Sequence, residues 1–248
     1  MIIHNGLVFN EDCQFTMADV AIENGKITQV APPGSMHGAA QGGEAIDAAG
    51  GYVLPGFVDI HTHGCVNFDV CDGDGAGIEK MMGYYGGQGI TSVVPATMSY
   101  NEPILTDIVK AALPYFGKEG HGAVLRGVNM EGPYINTAKR GAQNPEYIMD
   151  PQLKMFNELY ELAGGNIRLV DIAPELPGSL DFIKQVSHKC VVSLSPTNPS
   201  YDEAAAAFDP GPSPVPHLLP PLPPLGHPAP AVLPPPRPPL LHRSARLT

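Results

Sequence analysis

The sequence predicts an α/β protein in which an incomplete (β/α)8 barrel follows a short N-terminal β-segment and precedes a proline-rich tail. The main observation is the alternation of apolar strands with amphipathic helices over residues 52–208. Repeated strand–helix units indicate parallel strands joined by right-handed crossovers. Five or six such units favour a partial barrel, although an open doubly wound sheet fits the same periodicity.

The first segment, residues 1–51, has the pattern of short β-strands. Asn24 and Gly25 lie between two runs of strand-forming residues, 20–23 and 26–30. Asn-Gly is the strongest signal for a two-residue hairpin, because both central residues must adopt positive φ. We therefore predict an antiparallel hairpin that turns at this pair.

Strands and helices alternate through the second segment. The predicted strands cover residues 53–60, 90–98, 123–130, 167–173 and 190–194, with a damaged sixth near 214–219. The predicted helices cover residues 75–87, 103–116, 151–163, 179–188 and 200–208.

The last segment, residues 209–248, contains 15 of the 28 prolines and a single acid. Each proline removes a backbone donor and fixes φ, so this composition cannot supply ladders or helices. It predicts a disordered, polyproline-prone tail. An alternative interpretation is a non-catalytic interaction protein whose proline runs dock on aromatic grooves.

Composition excludes several classes of partner. The net charge is -11, from 14 basic and 25 acidic residues, and such a chain repels phosphates, so we expect neither a nucleic-acid nor a membrane partner. No stretch approaches the roughly 18 apolar residues of a membrane span, and the N-terminus lacks a signal-peptide pattern. The four cysteines form no CxxC pair. These features favour a cytoplasmic enzyme.

The sharpest local signal is an apolar strand, beginning near Leu54, that ends in His61-Thr62-His63. Side chains two residues apart on a strand point to the same side, so both histidines can converge on one ion. Neutral imidazole suits zinc or iron-type cations, and barrel active sites lie at the carboxyl ends of strands. The alternative is a pair of partly buried, hydrogen-bonded histidines.

A second signal is a strand that runs into Glu131 and then breaks at Gly132-Pro133. A carboxylate in this position can face the same mouth as the histidines, although a solvated loop glutamate fits the pattern too. The following loop, residues 139–143, reads Lys-Arg-Gly-Ala-Gln. It either binds polar substrate groups or forms a charged surface turn.

Together these segments resemble the amidohydrolase superfamily and, within it, the N-acetylglucosamine-6-phosphate deacetylase family. The resemblance covers residues 1 to about 208, and its most specific parts are the Glu131-Gly132-Pro133 strand end and the 139–143 loop. It implies a metal-dependent hydrolase barrel beside a small β-sandwich built from both chain ends. It also implies removal of acetate from an N-acetyl amino sugar 6-phosphate, a small-molecule partner.

The resemblance also implies roles for individual residues. Glu131 and His217 match metal-binding positions, and His61 and His63 match a pair that holds a second ion in some members and is replaced in others. The ions implied are divalent and of zinc or iron type. Gln143, with Ala142 and Gly141, matches the substrate-contacting loop. The general-base aspartate is expected beyond residue 248, so no catalytic residue is assigned within the chain. An intact protein of this kind is compatible with a homodimer.

The chain departs from the family pattern after about residue 195. Ser195-Pro196 stands where the family has Gly-His, whose histidine binds metal, and Pro228 replaces an arginine that neutralises the sugar phosphate. We therefore expect a C-terminally truncated and altered member with little or no activity. The remaining enzymatic alternative is an amidohydrolase acting on a cyclic amide or an N-acyl amino acid.

Overall fold

A computed structural model describes residues 1–36, 43–120, 122–194 and 207. The chain divides into two compact units, Met1–Gly56 and Phe57–Thr248, which are described separately. Several predictions lie outside the described residues: the tail at 209–248, the damaged strand at 214–219 and, apart from Ala207, the helix at 200–208.

The first unit is a five-stranded sheet. Its strands are β1 (Ile2–Phe9), β2 (Phe15–Glu23), β3 (Lys26–Ala31), β4 (Ala45–Asp47) and β5 (Tyr52–Val53). Strand β1 is antiparallel to β2 and parallel to β4 and β5. Its small core is formed by Val8, Ala18 and Val20.

The predicted hairpin is confirmed. Strands β2 and β3 are antiparallel, and Glu23 pairs with Lys26 across the turn. The two turn residues have positive φ, 51° at Asn24 and 73° at Gly25. These are the dihedral signs that a type I′ turn requires, and Asn and Gly adopt them more readily than other residues.

The second unit alternates short strands with helices. Its strands are β6 (Phe57–Asp59), β7 (Gly64–Cys65), β8 (Phe68–Asp69), β9 (Ile90–Val93), β10 (Val124–Leu125), β11 (Val128–Met130), β12 (Ile167–Ile172) and β13 (Val191–Leu194). Its α-helices are α1 (Gly75–Gly87), α2 (Glu102–Ala112), α3 (Leu153–Leu162) and α4 (Ser179–Val186). Short 3₁₀ turns occupy Val70–Asp72, Leu113–Tyr115, Thr137–Lys139 and Pro145–Tyr147. None of the helices in the described part of the chain combines the length and hydropathy of a membrane span.

Three predicted strands are shorter or broken in the structure. Residues 53–60 divide into β5 and β6, because Pro55 lacks the N–H that a continuous ladder needs. The strand predicted at 90–98 ends at Val93, just before Pro95. Residues 123–130 divide into β10 and β11 around Gly127, whose φ is 149° and where a Cβ would meet the backbone oxygen of Asn166.

The parallel strands of the second unit follow one another in chain order. Strand β9 pairs with β6 and β10, and β12 pairs with β11 and β13, all in parallel. A parallel bridge between Ala96 and Asn129 links the two groups. A doubly wound sheet reverses its strand order at a switch point, whereas a barrel keeps the chain order, so the observed sequence of strands is of the barrel type.

The three strands β11, β12 and β13 each alternate between an apolar face and a polar face. The residues of the apolar face pack in the main core with α3 and α4, and they are Val128, Met130, Val170, Ile172, Val192 and Leu194. The opposite face carries Asn129, Asp171 and Ser193, all buried. Because side chains alternate along a strand, the polar face is directed away from the helices. On this face, Asn129 contacts His61, just after the end of β6.

Candidate metal centre

The two histidines follow β6, and hydrogen bonds fix their backbone. The Asp59 carboxylate accepts the N–H of His61 at 3.0 Å. The carbonyl of Thr62 accepts the N–H of Ala96 at 2.7 Å, which ties the histidine segment to the residues after β9. The rings of His61 and His63 lie edge to face, with centroids 5.6 Å apart, so their polar edges can approach one point.

Glu131 follows β11, which the β9 segment separates from β6, and its side chain is only 5% exposed. The strand stops there because Gly132 has a φ of 83°, a conformation that glycine tolerates best. A Cβ at Gly132 would also meet the side chain of Ser99. The break therefore leaves Glu131 as the first residue after β11, with its carboxylate buried.

The structure brings the two histidines and the glutamate together. Nε2 of His61 lies 3.7 Å from Oε1 of Glu131, and Nε2 of His63 lies 3.2 Å from Oε2. One ligand atom from each of the three side chains lies within 4.8 Å of the others. These distances are short enough for the three side chains to contact one cation, so the predicted convergence is present.

The protein also orients both rings through their other nitrogens. The carbonyl of Ala96 accepts a hydrogen bond from Nδ1 of His63 at 3.1 Å, because a carbonyl oxygen can only accept. The side-chain amide of Asn129 lies 3.2 Å from Nδ1 of His61. Both Nδ1 atoms thus have a protein partner, and both Nε2 atoms face Glu131. The donation from Nδ1 of His63 to a carbonyl is the outer contact that metal-binding histidines typically make.

The donor set fits a small divalent cation. Bonds of 2.0–2.2 Å in a tetrahedral zinc site place neighbouring ligand atoms about 3.3 Å apart. The two nitrogen–oxygen distances at Glu131, 3.2 and 3.7 Å, are close to this value. Two imidazoles and one carboxylate suit zinc or iron-type ions better than calcium or magnesium, which prefer oxygen ligands.

The electrostatics of the cluster follow from the proximity of Glu131. Its carboxylate raises the pKa of His63 above the ordinary value, chiefly through their hydrogen bond, while partial burial acts in the opposite direction. Asp171 lies on β12 with an electrostatic influence from both Glu131 and His63. Burial raises the pKa of Asp171 well above its usual range.

The predicted substrate loop is tied to the same mouth. Gln143 is buried, and its side-chain oxygen accepts the N–H of Ser99 at 2.6 Å. Arg140 donates to the backbone carbonyl of Gln143 at 2.8 Å, and Gly141 and Ala142 form the exposed tip. Since Ser99 lies against Gly132, this loop is connected to the residue that follows Glu131. The contact with a sugar stays a prediction.

Two site positions lie outside the described residues, namely His217 and Pro196. Two buried polar residues near the cluster, Asn129 and Asp171, were missed by sequence reasoning. The available signal was a single polar residue between apolar neighbours in each strand, as in Leu169-Val170-Asp171-Ile172. In a strand this alternation separates a helix-facing side from an inner side.

Comparisons with known proteins agree with this geometry. The sequence profile described as "Amidohydrolase family" matches residues 44–151. An N-acetylglucosamine-6-phosphate deacetylase from Lysinibacillus sphaericus is 27% identical over 219 residues, which cover 88% of this chain and 56% of that protein. An N-acetylgalactosamine-6-phosphate deacetylase from Escherichia coli O157:H7 is 27% identical over 160 residues, covering 64% and 42%.

A solved structure gives the same result for the fold. The crystal structure of N-acetylglucosamine-6-phosphate deacetylase from Pasteurella multocida superposes with a TM-score of 0.81 at 25% identity, covering 93% of this chain and 60% of that one. The chain spans about half the length of the curated relatives it matches.

The amidohydrolase profile matches residues 44–151, and this stretch contains the His-x-His strand end and Glu131, so this part of the chain is similar to an amidohydrolase. Within that class, the chain is similar to the N-acetylglucosamine-6-phosphate deacetylases over most of its own length, and the resemblance predicted from the sequence is confirmed.

Proposed function

We propose that this chain belongs to a metal-dependent deacetylase that hydrolyses N-acetylglucosamine 6-phosphate to glucosamine 6-phosphate and acetate. The observation that carries the proposal is the convergence of His61, His63 and Glu131 at the ends of two parallel strands. Relatives named for this reaction support the substrate. One relative named for the galactosamine epimer extends the proposal to the class of N-acetyl amino sugar 6-phosphates.

In this proposal His61, His63 and Glu131 hold one divalent cation of zinc or iron type, with His217 as a further ligand. Such a cation, when bound, polarises an amide carbonyl and makes water a stronger nucleophile at neutral pH. The Ala96 carbonyl and the Asn129 amide keep the two rings turned toward Glu131.

Exposure indicates the side from which a substrate would approach. The side chain of His63 is 38% exposed, whereas those of His61 and Glu131 are 18% and 5% exposed. The acetamide group would therefore enter past His63 and meet a centre whose other two side chains, those of His61 and Glu131, are largely shielded from water. A buried wall strengthens electrostatic interactions with the reacting carbonyl, because water screens them less.

The loop at residues 139–143 would position the sugar. Gln143 anchors this loop to Ser99, and the exposed tip of Gly141 and Ala142 offers backbone groups to a ligand. Lys139 and Arg140 add positive charge beside the tip of an otherwise acidic chain. This arrangement favours an anionic sugar over an uncharged cyclic amide.

Residues 1–248 assayed on their own are expected to release little acetate, because Pro196 stands where relatives are expected to have a ligand histidine. An enzyme of this kind ordinarily turns over on the order of 10 times per second. Acetate release at such a rate would overturn the expectation of inactivity and would strengthen the proposed reaction.

Ligand binding tests the proposed substrate independently of turnover. Saturation-transfer NMR would compare N-acetylglucosamine 6-phosphate, an N-acetyl amino acid and hydantoin with the zinc-loaded chain. We expect a signal from the sugar phosphate that is lost in Glu131→Gln. A signal from hydantoin or the amino acid alone would transfer the assignment to another amidohydrolase reaction.

We also propose a cytoplasmic location and, for an intact protein, a homodimer. All four cysteines are unpaired, which suits a reducing compartment. Cell fractionation and sedimentation of the complete gene product test these two points.

A further inference from the structure

The proposed reaction assigns no role to Asp171, a buried carboxylate. It lies in β12 and is 0% exposed. Neither of its oxygens accepts a hydrogen bond of ordinary length and angle from the described part of the chain. A buried, unsatisfied carboxylate costs stability, so its presence requires a compensating partner.

The strand register places Asp171 on the face of the metal centre. Met130 pairs with Val170, so Glu131 and Asp171 each follow a paired residue on adjacent parallel strands. Asp171 in turn pairs with Ser193 on β13. Its neighbours Val170 and Ile172 belong to the core against the helices, so its side chain is directed to the opposite face.

Electrostatic interactions agree with this position. Burial raises the pKa of Asp171, and the charge of Glu131 acts in the same direction. The charge of His63 and the nearby Ser193 hydroxyl act in the opposite direction, so the charges of Glu131 and His63 both influence this carboxyl group.

The charge of the cation site suggests a role for the Asp171 carboxylate. A divalent cation held by one carboxylate and two neutral imidazoles keeps a net charge of about +1 in a buried mouth, which is unfavourable. A second carboxylate on the same face would neutralise that charge. Groups just outside the ligand set commonly strengthen metal sites by hydrogen-bonding the ligands, and a nearby negative charge acts in the same direction by Coulomb attraction to the cation.

We propose that Asp171 is a positioning residue of the cation site, whose negative charge strengthens the binding of the divalent ion held by Glu131, His61 and His63. This inference rests on the proposed function, since it assumes that the cluster binds a metal. In this proposal Asp171 serves the metal centre, and its contact with Ser193 on β13 is not its main role.

The test compares zinc affinity with cation-free stability in Asp171→Asn. Zinc dissociation constants would be measured by chelator competition, and melting temperatures in the presence of excess chelator. We expect zinc affinity to fall by about 10- to 100-fold. We expect the melting temperature of the cation-free protein to change little, because the amide that replaces the carboxyl group would also lack hydrogen-bond partners. A purely structural residue would leave zinc affinity unchanged.

Asp181→Asn is the matched control, because it removes the same charge from an exposed position on α4. It should leave both quantities unchanged. If Asp171→Asn does not fold, Asp171→Thr removes the charge with a residue that strands favour, and the same loss of affinity is expected.

The outcomes separate the two proposals. A wild-type chain that binds no zinc overturns the proposed function and this inference with it. A wild-type chain that binds zinc, with Asp171→Asn or Asp171→Thr binding it equally well, overturns only the role of Asp171.

Discussion

Two fully buried carboxylates, one in each compact unit, have opposite surroundings. Asp19 on β2 accepts the backbone N–H groups of Asn5 at 3.1 Å and Gly34 at 2.9 Å, and lies 3.4 Å from Nδ1 of His4. Asp171 on β12 accepts no hydrogen bond of ordinary geometry within the described residues. The same side chain at the same burial is thus satisfied in one unit and unsatisfied in the other.

The pKa values of the two acids move in opposite directions for this reason. Burial tends to raise the pKa of Asp19, but the N–H of Asn5, the His4 side chain and the N–H of Gly34 together lower it. Burial raises the pKa of Asp171, and no comparable set of donors opposes it. Burial alone therefore does not determine the direction in which the pKa of an acid shifts; the hydrogen-bond donors around it do.

The largest expected effect concerns Glu131, the third buried acid, whose partners are the two histidines. Glu131→Gln removes the anionic ligand, so zinc affinity should fall on the order of 1000-fold. Chelator competition measures it, with the exposed Glu161→Gln on α3 as a control of equal charge change. Unchanged affinity in Glu131→Gln would place the cation elsewhere.

The comparison of the two aspartates is sharpened by making the same substitution at both. Asp19→Asn should lower the melting temperature of the cation-free protein by several degrees. The Asp19 carboxylate accepts hydrogen bonds from the N–H groups of Asn5 and Gly34, and the amide NH₂ of Asn would place a donor against one of these donors. Asp171→Asn should change the melting temperature little, because the new amide would be as unsatisfied as the carboxyl group it replaces. Calorimetry with excess chelator measures both, and the exposed Asp12→Asn serves as control. Equal losses at both positions would contradict the contrast.

The pH dependence of zinc binding tests the His63–Glu131 pair. Because Glu131 raises the pKa of His63 above 6.5, the proton competes with the cation near neutral pH. Zinc affinity should rise by up to about tenfold per pH unit until the raised pKa is passed, and then level off.

Cation-free stability should change in the opposite sense over the same range. A raised histidine pKa contributes stability that is fully present below 6.5 and is lost as the pH rises through the raised value. Melting temperatures with chelator across this window provide the check. A zinc affinity that is flat with pH would show that His63 does not bind the ion as a neutral ring.

The smallest expected effect concerns Asn129, which contacts Nδ1 of His61. Asn129→Ala frees that ring, and zinc affinity should fall by about tenfold or less, since such outer contacts orient a ligand without replacing it. Asn157→Ala on α3 serves as a distant amide control. An effect as large as that of Glu131→Gln would assign Asn129 to the ligand set.

The sequence predicted those features that depend on local pattern. The Asn24-Gly25 turn follows from the dihedral angles of two residues, and the meeting of His61, His63 and Glu131 follows from the rule that parallel strands end at one edge. Both require no knowledge of packing.

Features that depend on contacts between distant residues could not be predicted in the same way. The break at Gly127 reflects the approach of Asn166, and the anchoring of Gln143 reflects a bond to Ser99. The lack of hydrogen-bond partners at Asp171 depends on all the residues that surround it in space, and these come from distant parts of the sequence. A single acid in an apolar strand indicates only that its buried charge needs a compensating group. The register of β11, β12 and β13 is needed to show that this acid lies on the face of the metal centre.

Anomalous diffraction at the zinc edge from crystals grown with zinc would locate the cation. We expect a peak about 2.0–2.2 Å from Nε2 of His61, Nε2 of His63 and a carboxylate oxygen of Glu131. A bound zinc whose peak lies away from these three side chains, or crystals with no peak among them at saturating zinc, would contradict this expectation.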